Sequence, residues 1–218
     1  MIEWDKIQDV LLDMDGTLLD LHFDNHFWQE LIPRRYAADR GLDVITAKRV
    51  LAPLFRRYEG SLNWYCLDFW SRELNIDVAT LKQEVAHLIA VHPHVIDFLD
   101  ALRAAGKRPV LVTNAHPKSL TLKLERTRLG AHLDAIISAH DIGHPKEEPA
   151  FWGRLQQQQA FAPARTLLID DNLAVLRAAR EYGIRHLLAV HQPDTRRPPR
   201  ETAEFTALRD FRDITPGA

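Results

Sequence analysis

Cysteine, long apolar runs and net charge are all scarce in this chain. A single cysteine, Cys66, in 218 residues rules out an intrachain disulfide and suits a reducing compartment. It stands among aromatic residues and is expected to be a buried structural thiol. No apolar stretch approaches the roughly 20 residues that span a bilayer. The first six residues, MIEWDK, are too polar for a signal peptide. The expectation is a soluble cytoplasmic protein. Lys and Arg number 28 against 30 Asp and Glu, a net charge of -2. That balance argues against nucleic acid or an anionic membrane as the main partner, since both call for a basic excess. There is no internal repeat.

What is present is ordinary globular material, 46% apolar and 27% charged, enough for one sizeable core and a smaller insertion. Four short apolar runs read as buried strands: Val10-Leu11-Leu12, Pro109 to Thr113, Ala135 to Ser138 and Thr166 to Ile169, with a fifth at His186 to Val190. Their hydrophobicity is nearly continuous, as expected for strands covered on both faces. Helical stripes separate the later ones: Val95, Leu99 and Leu102 before Gly106; Leu120, Leu124 and Leu129 before Gly130; Leu173, Leu176, Ala179 and Tyr182 before Gly183. The alternation predicts an α/β fold, a doubly wound, mostly parallel Rossmann-like sheet.

Residues 21–92 break this rhythm. They carry helical stripes and no convincing strand. One begins at an Asp77 cap and runs through Val78, Leu81, Val85, Leu88 and Ile89. Another holds Val50, Leu51, Leu54, Phe55 and Tyr58 behind Thr46, and a third Trp64, Leu67, Ser71 and Leu74 behind Ser61 or Asn63. Pro33 and Pro53 predict kinks or breaks. The expected organisation is an α/β core of residues 1–20 and 93–218, with an all-helical domain of residues 21–92 inserted. The stretch Gln192 to Arg200 is expected to be a solvated loop, although Arg196, Arg197 and Arg200 could bind an anion.

Four features fall just after predicted strands, where open α/β sheets place ligands: Asp13 and Asp15, Thr113 and Asn114, Lys146, and Asp170-Asp171. If they converge, the carboxylates repel. Two charges 4 Å apart cost roughly 4 kcal/mol at an effective dielectric of 20. A divalent cation and a lysine remove that conflict. Mg²⁺ takes oxygen ligands and is commonly shared between carboxylates and substrate phosphate. Thr113 and the backbone N–H groups near Pro117 could hold phosphate oxygens. Lys146 would offset charge on the reacting groups.

Asp13-Met14-Asp15-Gly16-Thr17-Leu18, Thr113-Asn114, Lys146 and Asp170-Asp171 resemble the four motifs of the haloacid dehalogenase superfamily, and the likeness covers almost the whole chain. The resemblance implies that Asp13 forms an aspartyl-phosphate. It implies that Asp15 is general acid and then general base, with its carbonyl on Mg²⁺. Thr113, assisted by Asn114, would bind the phosphoryl group, and Lys146 would steady both it and Asp13. Asp13, Asp15, Asp171 and Asp170 would form the metal site, Asp170 either as a ligand or through metal-bound water. Gly16 would allow the tight turn after the loop. Asp15 favours phosphate esters, because the dehalogenases themselves lack that second aspartate. Residues 21–92 occupy the place of the superfamily's helical cap.

The stretches Leu11 to Leu21, Leu62 to Asp68, Thr113 to Pro117 and Lys123 to Glu125 further resemble bacterial GMP/IMP nucleotidases. That likeness implies a phosphoric monoester hydrolase acting on purine nucleoside 5′-monophosphates. Another small phosphate ester, a phosphomutase reaction or a non-enzymatic sensor are the alternatives. Substrate selection falls to the cap, whose aromatics include Phe23, Phe27, Trp28, Tyr36, Phe55, Tyr58, Trp64, Tyr65, Phe69 and Trp70. One or two could stack on a base, while most are expected in the cap's own core. Asn25 and His26 could also touch substrate. His140 and His144 flank Lys146 without a cysteine or metal-ligand spacing beside them, so no zinc site is expected there.

Overall fold

A computed structural model describes residues 2–217. Six strands form one sheet: β1 Asp9–Leu12, β2 Arg108–Thr113, β3 Ala135–Ser138, β4 Thr166–Asp170, β5 His186–Val190 and β6 Thr206–Leu208. Their order is β3-β2-β1-β4-β5-β6, and every pairing is parallel. The first five coincide with the apolar runs. β6 was not foreseen, because Thr206-Ala207-Leu208 is too short and too exposed to look like a buried strand. In register, Leu12 lies beside Leu111 of β2 and Ile169 of β4. The chemistry-bearing residues that follow these three positions therefore leave the sheet at one edge.

Successive strand residues point to opposite faces, which explains the unbroken hydrophobicity. Val10, Leu12 and Leu111 pack with Val95, Phe98, Leu99 and Leu102 of α7 (Val95–Ala104) on one face. Leu11, Val110, Val112 and Leu168 pack on the other face, against α10 (Pro149–Gln158) and α11 (Leu173–Tyr182).

Between β1 and α7 lie six α-helices: α1 His22–His26, α2 Ile32–Arg40, α3 Val44–Tyr58, α4 Leu62–Tyr65, α5 Leu67–Leu74 and α6 Val78–Glu84. They share their own apolar cluster, with Phe23, Phe27, Leu51, Trp70 and Leu81 all buried. Trp28, Phe55, Trp64 and Trp70 meet edge to face at centroid distances of 5.1 to 6.0 Å, the arrangement aromatic quadrupoles favour.

Local chemistry moved several boundaries. α3 starts at Asp43 rather than near Thr46, because the Asp43 carboxylate accepts both Thr46 N (2.9 Å) and Thr46 Oγ1 (2.7 Å). Cys66 divides the third stripe into α4 and α5 with extended backbone, and its Sγ accepts from Phe69 N. The Val78 stripe ends at Glu84, with a 3₁₀ turn Ala86–Leu88 after it. Pro53 breaks nothing. It sits exposed inside the continuous α3, where water can satisfy the carbonyl that loses its donor. Pro33 stands in the first turn of α2, directly after a wider π-helical stretch, Phe27–Leu31. No helix among the described residues is long and apolar enough to cross a membrane.

Candidate active site

The loop after β1 carries the first pair. Asp13 N donates to Ile169 O (3.0 Å), so Asp13 extends the β1–β4 ladder by one residue. Its carboxyl is buried, with Oδ1 2.5 Å from Lys146 Nζ and Oδ2 without a hydrogen-bond partner among the described residues. Gly16 adopts φ +93°, and a Cβ there would lie 2.7 Å from Asp171 Oδ2. Only glycine permits both that turn and that approach.

Lys146 arrives from a loop that follows β3 and the short α9 (Ala139–Ile142). Its ammonium donates to Asp13 Oδ1, Asp170 Oδ2 (2.7 Å) and Val112 O (3.0 Å). Those two carboxylates hold Lys146 well above the usual lysine range, against the opposing effect of burial. Asn114, expected to assist in binding phosphate, has its amide turned to this loop instead. Its Oδ1 accepts Lys146 N (2.9 Å) and its Nδ2 donates to Glu147 Oε2 (2.9 Å). Glu147 also accepts from Tyr65 Oη (2.5 Å) and Asn172 Nδ2 (3.0 Å). Thr113 Oγ1 accepts Ala115 N (3.0 Å), and among the described residues its hydroxyl proton has no acceptor. α8 (Pro117–Thr127) opens just beyond.

Asp170 Oδ1 accepts Asn172 N (2.8 Å) while Oδ2 accepts Lys146, so both its oxygens are engaged. Asp171 is paired with Arg200, whose Nη2 lies 3.0 Å from Oδ2 and also donates to the Asp171 carbonyl. Arg200, although exposed like Arg196 and Arg197, thus reaches the site from the loop expected to be merely solvated, whereas Arg197 pairs with Asp194. The same loop is tied to the first motif by Leu21 N to Pro193 O (2.8 Å) and Asn25 Nδ2 to Asp194 Oδ2 (2.8 Å).

Carboxylate oxygens of Asp13, Asp170 and Asp171 lie within 4.8 Å of one another. Burial first, then the neighbouring carboxylate Asp170, pushes Asp13 up to about 6 even though Lys146 opposes the shift. Burial and the Asp13 and Asp170 charges push Asp171 well above the carboxylate range. A bound cation would relieve that repulsion. The donors are all oxygen, and Asp13 Oδ2 is buried and unpartnered. This set fits a hard ion such as Mg²⁺ and does not suit a thiophilic one. The Asp15 side chain does not join the trio.

Asp15 instead faces a buried chain of alternating charge that sequence reading missed. Lys123 Nζ lies 2.6 Å from Asp15 Oδ1 and 2.7 Å from Asp24 Oδ2. Lys82 Nζ lies 2.6 Å from Asp24 Oδ1 and 3.2 Å from Ser119 Oγ. Burial would raise Asp24, but Lys123 and Lys82 overcome it and hold the carboxyl down to about 2. For Asp15 burial wins. With Asp24 and Asp13 also repelling, its carboxyl is pushed up to about 6. Asp24 and Lys82 belong to the helices between β1 and β2, and Lys123 to α8, so the chain joins the two parts of the molecule. Its one sequence clue was Lys123, within a stretch of family likeness.

A cavity of ≈ 620 Å³ opens over all these groups. Of the aromatics singled out in the sequence, Trp28, Phe55, Trp64 and Tyr65 line it, while Phe23, Phe27, Phe69 and Trp70 are buried away from it. Asn25 and His116 also line it; His26 and Asn63 do not.

An all-parallel α/β sheet with carboxylates, a lysine and a threonine gathered at one strand edge, beneath a helical segment, defines a hydrolase-type site. The chain belongs to the haloacid dehalogenase-like hydrolase family, whose sequence profile matches residues 8–183. It is 41% identical over 215 residues to the GMP/IMP nucleotidase YrfG of Escherichia coli K12, covering 99% of this chain and 97% of that protein. It is 22% identical to the pyrophosphatase PpaX of Bacillus velezensis, covering 82% and 81%. The fold is shared with a haloacid dehalogenase-type phosphatase from Thermococcus onnurineus, with a TM-score of 0.79, 22% identity and coverage of 95% and 96%.

Proposed function

We propose that the protein is a Mg²⁺-dependent phosphatase that hydrolyses purine nucleoside 5′-monophosphates, GMP and IMP, to nucleoside and phosphate. The observation that carries the chemistry is the Asp13 carboxyl, held by Lys146 through Oδ1 with Oδ2 left free inside the carboxylate trio. The 41% identity to a GMP/IMP nucleotidase over nearly the full length supports the substrate class. The cavity volume also suits a nucleotide, since ligand sites commonly span about 300–1,000 Å³.

In this reading Asp13 Oδ2 attacks phosphorus in line, forming the aspartyl P–O bond as the bond to the ribose 5′-oxygen breaks. Asp15 gives its proton to the departing alkoxide. The resulting carboxylate then takes a proton from water, which attacks phosphorus and releases Asp13 and inorganic phosphate. A carboxyl near 6 suits both halves of that cycle. Lys123 orients it. Lys146 offsets charge on Asp13 and on the phosphoryl oxygens. The Thr113 hydroxyl donates to one of those oxygens, and Asn114 braces the Lys146 loop. Asp13, Asp171 and the Asp15 carbonyl would hold Mg²⁺, with Asp170 supporting them. When bound, that ion neutralises the carboxylates and the incoming phosphate dianion.

Residues 21–92 act as the cap over a core of residues 1–20 and 93–218, with Trp28, Phe55 and Trp64 offering faces or edges to a purine. A panel of monophosphates assayed with Mg²⁺ tests the assignment. GMP and IMP should exceed sugar phosphates and phosphoglycolate in kcat/KM. A preference for either of the latter overturns the substrate class while leaving the phosphatase chemistry standing.

A further inference from the structure

Three donors distant in sequence converge beside the cavity. Cys66 lies between α4 and α5, His116 caps α8, and His140 lies in α9. Each offers a ligand atom within 4.8 Å of the other two. The two imidazole rings stand edge to face with centroids 5.0 Å apart. His140 Nε2 is buried and has no hydrogen-bond partner among the described residues, an expensive state for a polar atom unless something else fills the position. His116 makes long contacts at both ring nitrogens: Nδ1 accepts Lys118 N at 3.3 Å and Nε2 lies 3.7 Å from Asp68 Oδ2.

We propose that Cys66, His116 and His140 form a second metal site, separate from the carboxylate trio, that binds a borderline-soft divalent ion such as Zn²⁺. One sulfur and two imidazole nitrogens suit Zn²⁺ and repel nothing, whereas Mg²⁺ takes oxygen. A tetrahedral ion with bonds of about 2.0–2.3 Å needs its ligands about 3.5 Å apart, so the three must draw in by up to about 1.3 Å from the 4.8 Å outer limit seen here. Imidazole must be neutral to ligate. Burial, with His116 close by, holds His140 down to about 4, and burial lowers His116 as well. Asp68 faces His116 Nε2, where a carboxylate can support a ligating histidine; ligation through Nδ1 then requires that nitrogen to give up the long bond from Lys118 N. A sequence separation of 50 residues from Cys66 to His116 hides the set from motif reading. Because Cys66 lies on the helical segment and both histidines follow sheet strands, an ion here pins the two parts together at the rim of the cavity.

The test uses Co²⁺, added to the chelator-treated and desalted full chain in excess Mg²⁺, which keeps the carboxylate site filled. Cys66 is the sole cysteine, so a thiolate-to-cobalt charge-transfer band can arise nowhere else. The expected result is that band at one equivalent, with intense visible absorption of tetrahedral cobalt and its loss on adding Zn²⁺. Cys66→Ser should abolish the band yet keep Mg²⁺-dependent phosphatase activity. In case that variant misfolds, His140→Gln with the thiol intact should weaken Co²⁺ binding about tenfold or more. Absence of the band at saturating Co²⁺, or unchanged Co²⁺ affinity in folded His140→Gln, overturns the site.

Discussion

Lys123 Nζ sits 2.6 Å from Asp15 Oδ1, joining α8 to the loop after β1 across 108 residues of chain. Lys123 is 1% exposed, and its anionic partners among the described residues are Asp15 and Asp24. Removing it leaves the part-buried Asp15 with no cation and Asp24 with Lys82 alone. Lys123→Met should therefore cost roughly 3–5 kcal/mol in denaturant unfolding. Asp15→Asn added to Lys123→Met should recover part of that loss, whereas Asp24→Asn should not, because it leaves the buried Lys82 unpaired. With the cation gone, Asp15 should titrate higher, moving the corresponding limb of the pH–rate profile up by about a unit.

Asp15 is assigned to protonate the leaving group, so its importance should depend on what leaves. Asp15→Asn should lose far more activity toward GMP than in the first step with p-nitrophenyl phosphate, whose leaving group needs no proton. Rapid mixing should show a burst of nitrophenolate followed by slow turnover, because the second step still needs the base. Equal losses on both substrates would remove Asp15 from the acid role.

The pH dependence of stability follows from Asp13. Its folded-state value of about 6 exceeds the ordinary 3.8, so the native protein holds this proton more tightly than the unfolded chain. That contribution is complete below about pH 3.8 and is lost as pH rises through 6. Asp13→Asn carries no such proton. Without metal, its stability relative to the parent should rise between pH 4 and 7, by on the order of 3 kcal/mol. Melting curves in EDTA measure this. Adding Mg²⁺ at pH 7.5 should raise the parent's Tm and restore its activity, with little effect on the Tm of the variant.

Trp28 lines the cavity and packs edge to face on Phe55 and Trp70. If it contacts the base, Trp28→Leu should raise KM for GMP about tenfold, from stacking worth roughly 1–3 kcal/mol. Turnover of p-nitrophenyl phosphate should stay within about twofold. A parallel loss on both substrates would mean Trp28 only supports the cap's core.

The sheet was legible because buried parallel strands leave continuous apolar runs, and the motif residues follow those runs directly. Asp13, Lys146, Asp170 and Asp171 meet as their strand positions suggested. Lys82 and Lys123 were not legible. A lysine on an amphipathic helix ordinarily faces water, and only tertiary packing shows that these two are buried against Asp24. Arg200 was visible as a possible anion binder in a polar loop, but only tertiary packing shows that its anion is Asp171. The amide of Asn114 looked like a phosphate donor because chain order shows adjacency but not direction. Cys66, His116 and His140 share no spacing, so only folding brings them together.

The central claim is that Asp13 is the nucleophile. Its most direct test is phosphate release from GMP with saturating Mg²⁺, comparing the parent with Asp13→Asn after both are shown to be folded. Loss of at least about 10³-fold in kcat is the expected result, since an amide cannot form the aspartyl-phosphate. Release at the parent's rate by the folded variant would contradict it.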